Sequence, residues 1–228
     1  MALRKDQRAL LSATALATAL WVVPELRILI LPLVYYNTHV HELCHALAAV
    51  ATGGGVQHIL VFANGSGVAQ ITGGWTPAVA SAGYVGSTMV GGLVLAWARN
   101  ETGARRALGA AAVFLGISLV LFVRGDGVGL LSAFGWLVAL ILAAARTRGA
   151  TTIFLAQFIG LQLCLTSLQA FVSLFNVAAS IDGHSDAKIL EQATGLPDLL
   201  WAALWLAMSL VVVWASLRAA WQPAQQTG

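Results

Sequence analysis

Charge is what this sequence has least of: Asp, Glu, Lys and Arg make up 9% of its 228 residues, against about a quarter in an ordinary soluble domain. That scarcity excludes a water-soluble globule, and it equally excludes a highly charged disordered chain. Cysteine is sparse too, with only Cys44 and Cys164, both inside apolar segments. A disulfide framework is therefore not implied, and both read as small packing residues. There is no tandem repeat of fixed period and no low-complexity tract beyond the polar tail Gln222 to Gly228, which is expected to be disordered. The net charge of +3 comes mostly from arginines in short loops. That is the usual topological bias of membrane proteins, so no nucleic-acid partner is called for. No small-residue cleavage site follows the basic patch Arg4, Lys5, Arg8, so the apolar run after it reads as an uncleaved first span rather than a secretory signal.

What is abundant is apolar surface, at 59% of residues. A membrane span needs about 20 such residues, and candidates run over 8–35, 37–52, 76–98, 105–123, 128–145, 151–178 and 198–217. The expected fold is an all-α polytopic membrane protein with six to seven transmembrane helices, formed as one domain over residues 1–228. Pro24, Glu25 and Arg27 interrupt the first span, and charge at membrane depth predicts a kink or split there. Arg99, Arg105 and Arg106, then Arg146 and Arg148, then Arg218 fall in alternate loops. The positive-inside rule places these on the cytoplasmic side with the N-terminal patch, and the segment 179–197 on the opposite side. Gly83, Ser87 and Gly91 recur every four residues, a stripe that lets another helix approach closely.

Between the second and third spans, Val56 to Phe62 and Val68 to Thr72 flank Asn64-Gly65-Ser66-Gly67, a strand, turn, strand pattern that predicts a small β-hairpin. The turn explains Asn64-Gly65-Ser66 better than its match to a glycosylation sequon does. At membrane depth a strand edge must be sheltered by protein or line a wet cavity, and such an edge can receive an extended peptide.

The chemistry concentrates in His41-Glu42-Leu43-Cys44-His45. Histidines four apart lie one turn above each other on a helix, so both can present nitrogen to one metal. The intervening glutamate suits proton transfer, and a bound zinc would need a third protein ligand with an open position for water. Two imidazoles and a carboxylate on an apolar helix are costly in a membrane unless they serve a site. The third ligand is sought in Ser180 to Asp186, a polar cluster between two late spans. Asp186, Asp182 and His184 are all suitable, and spacing alone does not choose. His39, two residues before His41, turns to a different face and suits a supporting or entrance position. His58, in the expected strand, is a weaker candidate still.

Residues 37–92 and 180–210 resemble the M50B-like branch of the site-2-protease class of membrane metallopeptidases. The resemblance rests on Asn37 to Ala48, on the Asn64-Gly65-Ser66-Gly67 turn, on Ala82-Gly83-Tyr84-Val85-Gly86-Ser87, and on Ser185-Asp186-Ala187 followed by Thr194-Gly195-Leu196-Pro197. It implies a zinc peptidase in a multi-pass protein of the cell membrane, with Glu42 catalytic and His41, His45 and Asp186 as metal ligands. It also implies transmembrane or membrane-associated protein substrates. A non-catalytic metal-binding scaffold is the alternative. A transporter would carry polar residues along several spans, whereas 105–123 and 128–145 have almost none. Only 151–178 is rich in them, with Gln157, Gln162, Thr166, Ser167, Gln169 and Asn176, which predicts a polar face turned to the metal cavity or to a neighbouring helix.

Overall fold

The computed structural model describes residues 3–125, 127–177 and 185–222. Asp182, His184 and the tail beyond Gln222 lie outside the described residues, as do the side chains of Thr166, Ser167, Gln169 and Asn176. Eight helices and one hairpin follow in order: α1 (Lys5–Val22), α2 (Arg27–Ala51), β1 (Gly55–Val61), β2 (Gly67–Thr72), α3 (Thr76–Trp97), α4 (Glu101–Leu121), α5 (Gly127–Arg146), α6 (Ala150–Val177), α7 (Asp186–Thr194) and α8 (Asp198–Trp221). Among the described residues, α3, α4, α5 and α8 are long and apolar enough to cross a membrane.

The expected break near Pro24 is present as a short 3-10 turn, Pro24–Leu26. The boundaries around it differ from those read from hydropathy. The chain does not end one span at 35 and start another at 37; α2 runs through without interruption. The polar run at its middle faces protein rather than lipid: Tyr36, Asn37 and His39 are all buried. Tyr36 packs against Trp136 of α5 with ring centroids 4.9 Å apart, and Asn37 donates through Nδ2 to the Gln162 carbonyl at 3.3 Å. After residue 184 the chain forms a further short helix, α7. Ser185 caps it by accepting from the Lys188 N–H at 3.2 Å, and Gly195 ends it at φ +74.

The main core joins Val40 and Cys44 of α2 to Leu108 and Leu115 of α4, Leu140 of α5, and Ile153 and Leu163 of α6. Close packing of α3 on α6 depends on Gly91, where a Cβ would strike the Gly160 carbonyl oxygen at 2.5 Å. The two glutamines described on α6 both serve helix neighbours. Gln157 donates to the Ala98 carbonyl at 3.0 Å, and Gln162 accepts from the Trp21 indole at 3.2 Å.

Most of the arginines gather at one end of the bundle. Arg4 donates to the Trp221 carbonyl at 2.8 Å, Gly92 of α3 abuts Ser216 of α8, and Arg105 donates to the Thr147 carbonyl at 3.0 Å. The start of α1 and the C-terminal ends of α3, α5 and α8 therefore share a face, as the alternation of arginine-rich loops implies.

The hairpin is antiparallel, with a bulge between Val56 and His58. Its turn is built as expected: Asn64 Oδ1 accepts from the Ser66 N–H at 3.0 Å, and Gly65 takes φ +86. The sheet lies along α2, held by Tyr35 Oη donating to the Ala63 carbonyl at 2.8 Å and Thr38 Oγ1 donating to the Gly65 carbonyl at 2.7 Å. The outer edge of β1 is closed by Phe122 and Arg124, which exchange backbone bonds with Ile59 at 2.8 and 3.0 Å. Among the described residues no strand covers the outer edge of β2.

Candidate metal centre

His41 and His45 lie one turn apart on α2, as their spacing requires. Their Nε2 atoms are 2.9 Å apart, and each is 3.4 Å from Oδ2 of Asp186. Among the described residues this trio forms a group of ligand atoms that can hold a metal ion. Tetrahedral bonds of about 2.0–2.1 Å put ligand atoms about 3.3 Å apart, so the two distances to Asp186 already match, and the imidazoles need only part by a few tenths of an ångström. Two nitrogens and one carboxylate leave a fourth position, the pattern of a catalytic rather than a structural zinc. Side-chain exposures of 13% for His41 and 21% for Asp186 keep the site within reach of water, while His45 is 6% exposed.

The surroundings orient these ligands. His45 Nδ1 lies 2.6 Å from the Val79 carbonyl. A carbonyl only accepts, so Nδ1 carries a proton, and Nε2 is the atom left to face a metal beside His41 and Asp186. The His41 ring meets Tyr84 edge-on at 4.6 Å, and Tyr84 stacks on Trp205 of α8 at 5.1 Å. Trp205 is fixed in turn by donating to Ser81 Oγ at 2.9 Å.

Room for the imidazoles comes from α3. A Cβ built on Gly83 would overlap Nε2 of both histidines. Around Gly83 the helix widens to a π-turn over Ala82–Gly86, a distortion common at functional sites. Ser87 Oγ donates to the Gly83 carbonyl at 2.6 Å and Thr88 Oγ1 to the Tyr84 carbonyl at 2.9 Å, so polar backbone at this depth is satisfied locally. Gly83 is seven residues into α3, about 10 Å along its axis. The site thus lies part-way into the bundle from the end opposite the arginine-rich one.

Asp186 arrives on α7, which buries Ala187 and Leu190 against Ala80 of α3 and Ala202 and Trp205 of α8. Burial pushes the Asp186 carboxyl upward, yet the facing His45 and His41 outweigh that and hold it below the usual carboxylate range. It is a carboxylate across the working pH range, the form that could hold a metal ion.

Glu42 is buried beside the trio. The Ala69 amide of β2 faces its carboxylate, and a Cβ on Gly67 would meet Glu42 Oε1 at 2.9 Å. The hairpin therefore presses its open edge onto this glutamate. His39 is turned to a different face, as its offset predicts, with Nε2 3.0 Å from Ser132 Oγ of α5. His58 is outside the trio. The Gly83, Ser87, Gly91 stripe divides its work: Gly91 admits a helix, whereas Gly83 admits side chains. Sequence reasoning passed over that second role, and passed over the Val79 carbonyl and the Tyr84 ring. The run Gly83-Tyr84-Val85-Gly86 was the available signal, since glycines three apart flank the aromatic that touches the site.

Residues 11–216 match the family model described as Peptidase M50B-like. No curated protein and no solved structure gives a significant match.

Proposed function

This chain belongs to the Peptidase M50B-like family, and from that premise we propose that it is a zinc-dependent intramembrane-type endopeptidase that hydrolyses peptide bonds of membrane-associated proteins. The observation that carries the proposal is the meeting of His41, His45 and Asp186 from two separate helices, with buried Glu42 beside them. His41, His45 and Asp186 are the metal ligands in this reading, and Glu42 is the catalytic acid–base. A bound zinc supplies Lewis acidity, acidifying water and drawing charge from the peptide carbonyl.

Glu42 follows His41 by one residue, so its carboxylate is turned about 100° from the ligand face. From there it takes a proton from the attacking water and returns it to the departing amine. The Ala69 amide of β2 faces that carboxylate. The open edge of β2 receives the substrate as an added extended strand, which unwinds a helical segment and lays its backbone past Glu42. In the membrane, α1 and α2 together make one crossing and α6 another, which with the four apolar helices gives six and leaves the start of α1 and the end of α8 on the same face. The arginine-rich end faces the cytoplasm, in the cell membrane.

The test is zinc content and turnover of detergent-purified protein from metal-replete medium, with transmembrane peptide reporters. Zinc retained and cleavage lost in Glu42→Gln is the expected result. Absence of zinc from the wild type overturns the reading, and cleavage undiminished in Glu42→Gln overturns the role of Glu42.

A further inference from the structure

Away from the metal centre, the outer surface of α4 and α5 holds a groove of about 670 Å³. Arg105, Arg106, Gly109 and Gly116 line it from α4, and Leu137 and Ile141 from α5. From Arg105 to Gly116 the groove follows α4 for about 16 Å, half of the roughly 30 Å hydrocarbon thickness. It is thus charged at one end, apolar along its length, and as deep as a single leaflet.

The charge at its mouth is not spent within the protein. Arg105 is committed, bonding the Glu101 carboxylate at 3.0 Å, the Thr147 carbonyl at 3.0 Å and the Ala144 carbonyl. Arg106 is exposed and makes no hydrogen bond or ion pair among the described residues. The Arg105 to Thr147 bond brings Arg146 and Arg148 to the same end, and both are exposed. Glu101 is the acid at this mouth, and it already pairs with Arg105. An anion is the complement such an end calls for.

The dimensions select the occupant. A helix about 10 Å across would need roughly twice the groove's volume over the same 16 Å, whereas an acyl chain is thin and ends at mid-membrane. We propose that the α4–α5 groove binds an anionic phospholipid, with one acyl chain in the groove and the phosphate on Arg106. This site is independent of the metal centre. It stands whether or not the protein cleaves peptides.

The experiment is native mass spectrometry of the full chain in micelles carrying equimolar phosphatidylglycerol and phosphatidylcholine of matched acyl chains. Thermal unfolding of each variant checks that it is folded. The wild type is expected to retain phosphatidylglycerol at least five-fold over phosphatidylcholine, and Arg106→Gln to bring the ratio close to one. Gly109→Leu fills the groove from a position whose Cβ meets nothing within 4 Å, and is expected to remove the retained lipid. Free glycerol phosphate in tenfold excess is expected not to compete. Equal retention of the two lipids by the wild type overturns the proposal, as does a preference that survives both substitutions. Competition by glycerol phosphate overturns it in favour of a simple anion site. A dimer that Gly109→Leu disrupts, with lipid retention unchanged, overturns it in favour of a second copy of this chain.

Discussion

Gly83 lies against His45 with no space between them for even one methyl group, because a Cβ at this position would overlap Nε2. Gly83→Ala is therefore expected to abolish zinc binding while the bundle still forms. Gly109→Ala, where a Cβ meets nothing within 4 Å, is the matched control and should bind zinc as the wild type does. Metal content of the two purified variants, side by side, checks this.

Removing a ligand and removing the proton-transfer group should give opposite patterns. His45→Ala and Asp186→Ala are expected to lower zinc affinity by more than about 100-fold, beyond the 10–100-fold typical of a ligand's neighbour. Asp182→Ala should leave zinc in place, and Glu42→Gln should keep the metal and lose hydrolysis. Competition against a chromophoric chelator separates these cases. Retention of full affinity in Asp186→Ala would falsify the ligand set.

Ser185 holds the first turn of α7, whose first residue is Asp186. Ser185→Ala removes that cap, at a cost of about 1 kcal/mol, and frees the aspartate from its approach to the histidines. A modest drop in the unfolding temperature, with zinc affinity weakened less than in Asp186→Ala, is expected from differential scanning fluorimetry and chelator titration.

The open edge of β2 offers a further separation. Ala69→Pro deletes the N–H that faces Glu42 and removes a donor from the strand edge. Turnover of a transmembrane reporter is expected to fall about 10-fold or more, as general acid–base catalysis loses its alignment, with zinc content unchanged. An effect on zinc equal to that on turnover would show that the hairpin holds the metal site together instead.

Acid should release the metal. Burial raises the Asp186 carboxyl but His45 and His41 more than reverse this, leaving it below its ordinary value; it stays ionised as the pH falls. Ligating imidazoles must be neutral, so protons compete with the metal for them. Zinc affinity is thus expected to fall as the pH is lowered. Dialysis at stepped pH with metal analysis reads the midpoint.

Much of this site was legible before any coordinates. His41 and His45 share a helix, and the turn-to-turn geometry of a helix left one way for them to meet a metal. Asn64-Gly65 likewise fixed the hairpin, since few residues other than glycine accept the φ of +86 that the turn takes at Gly65. The span boundaries were less secure. Tyr35 to His39 look like an interruption in hydropathy, yet they continue α2 because their partners are protein, and hydropathy does not know which neighbour a side chain will have. The nine residues of α7 are too short for a span and bury only Ala187 and Leu190. Ser185 before and Gly195 with Pro197 after were the signals of its ends.

Local sequence determined what depends on neighbours along the chain: helix, turn, membrane character and two of the three ligand atoms. The tertiary structure decided what depends on neighbours in space. It brought Asp186 across some 140 residues of chain to the histidines, turned Gly83 toward imidazoles rather than toward a helix, and set the open edge of β2 on Glu42. Those pairings follow from how helices of fixed shape pack together, and no short stretch of sequence contains both partners.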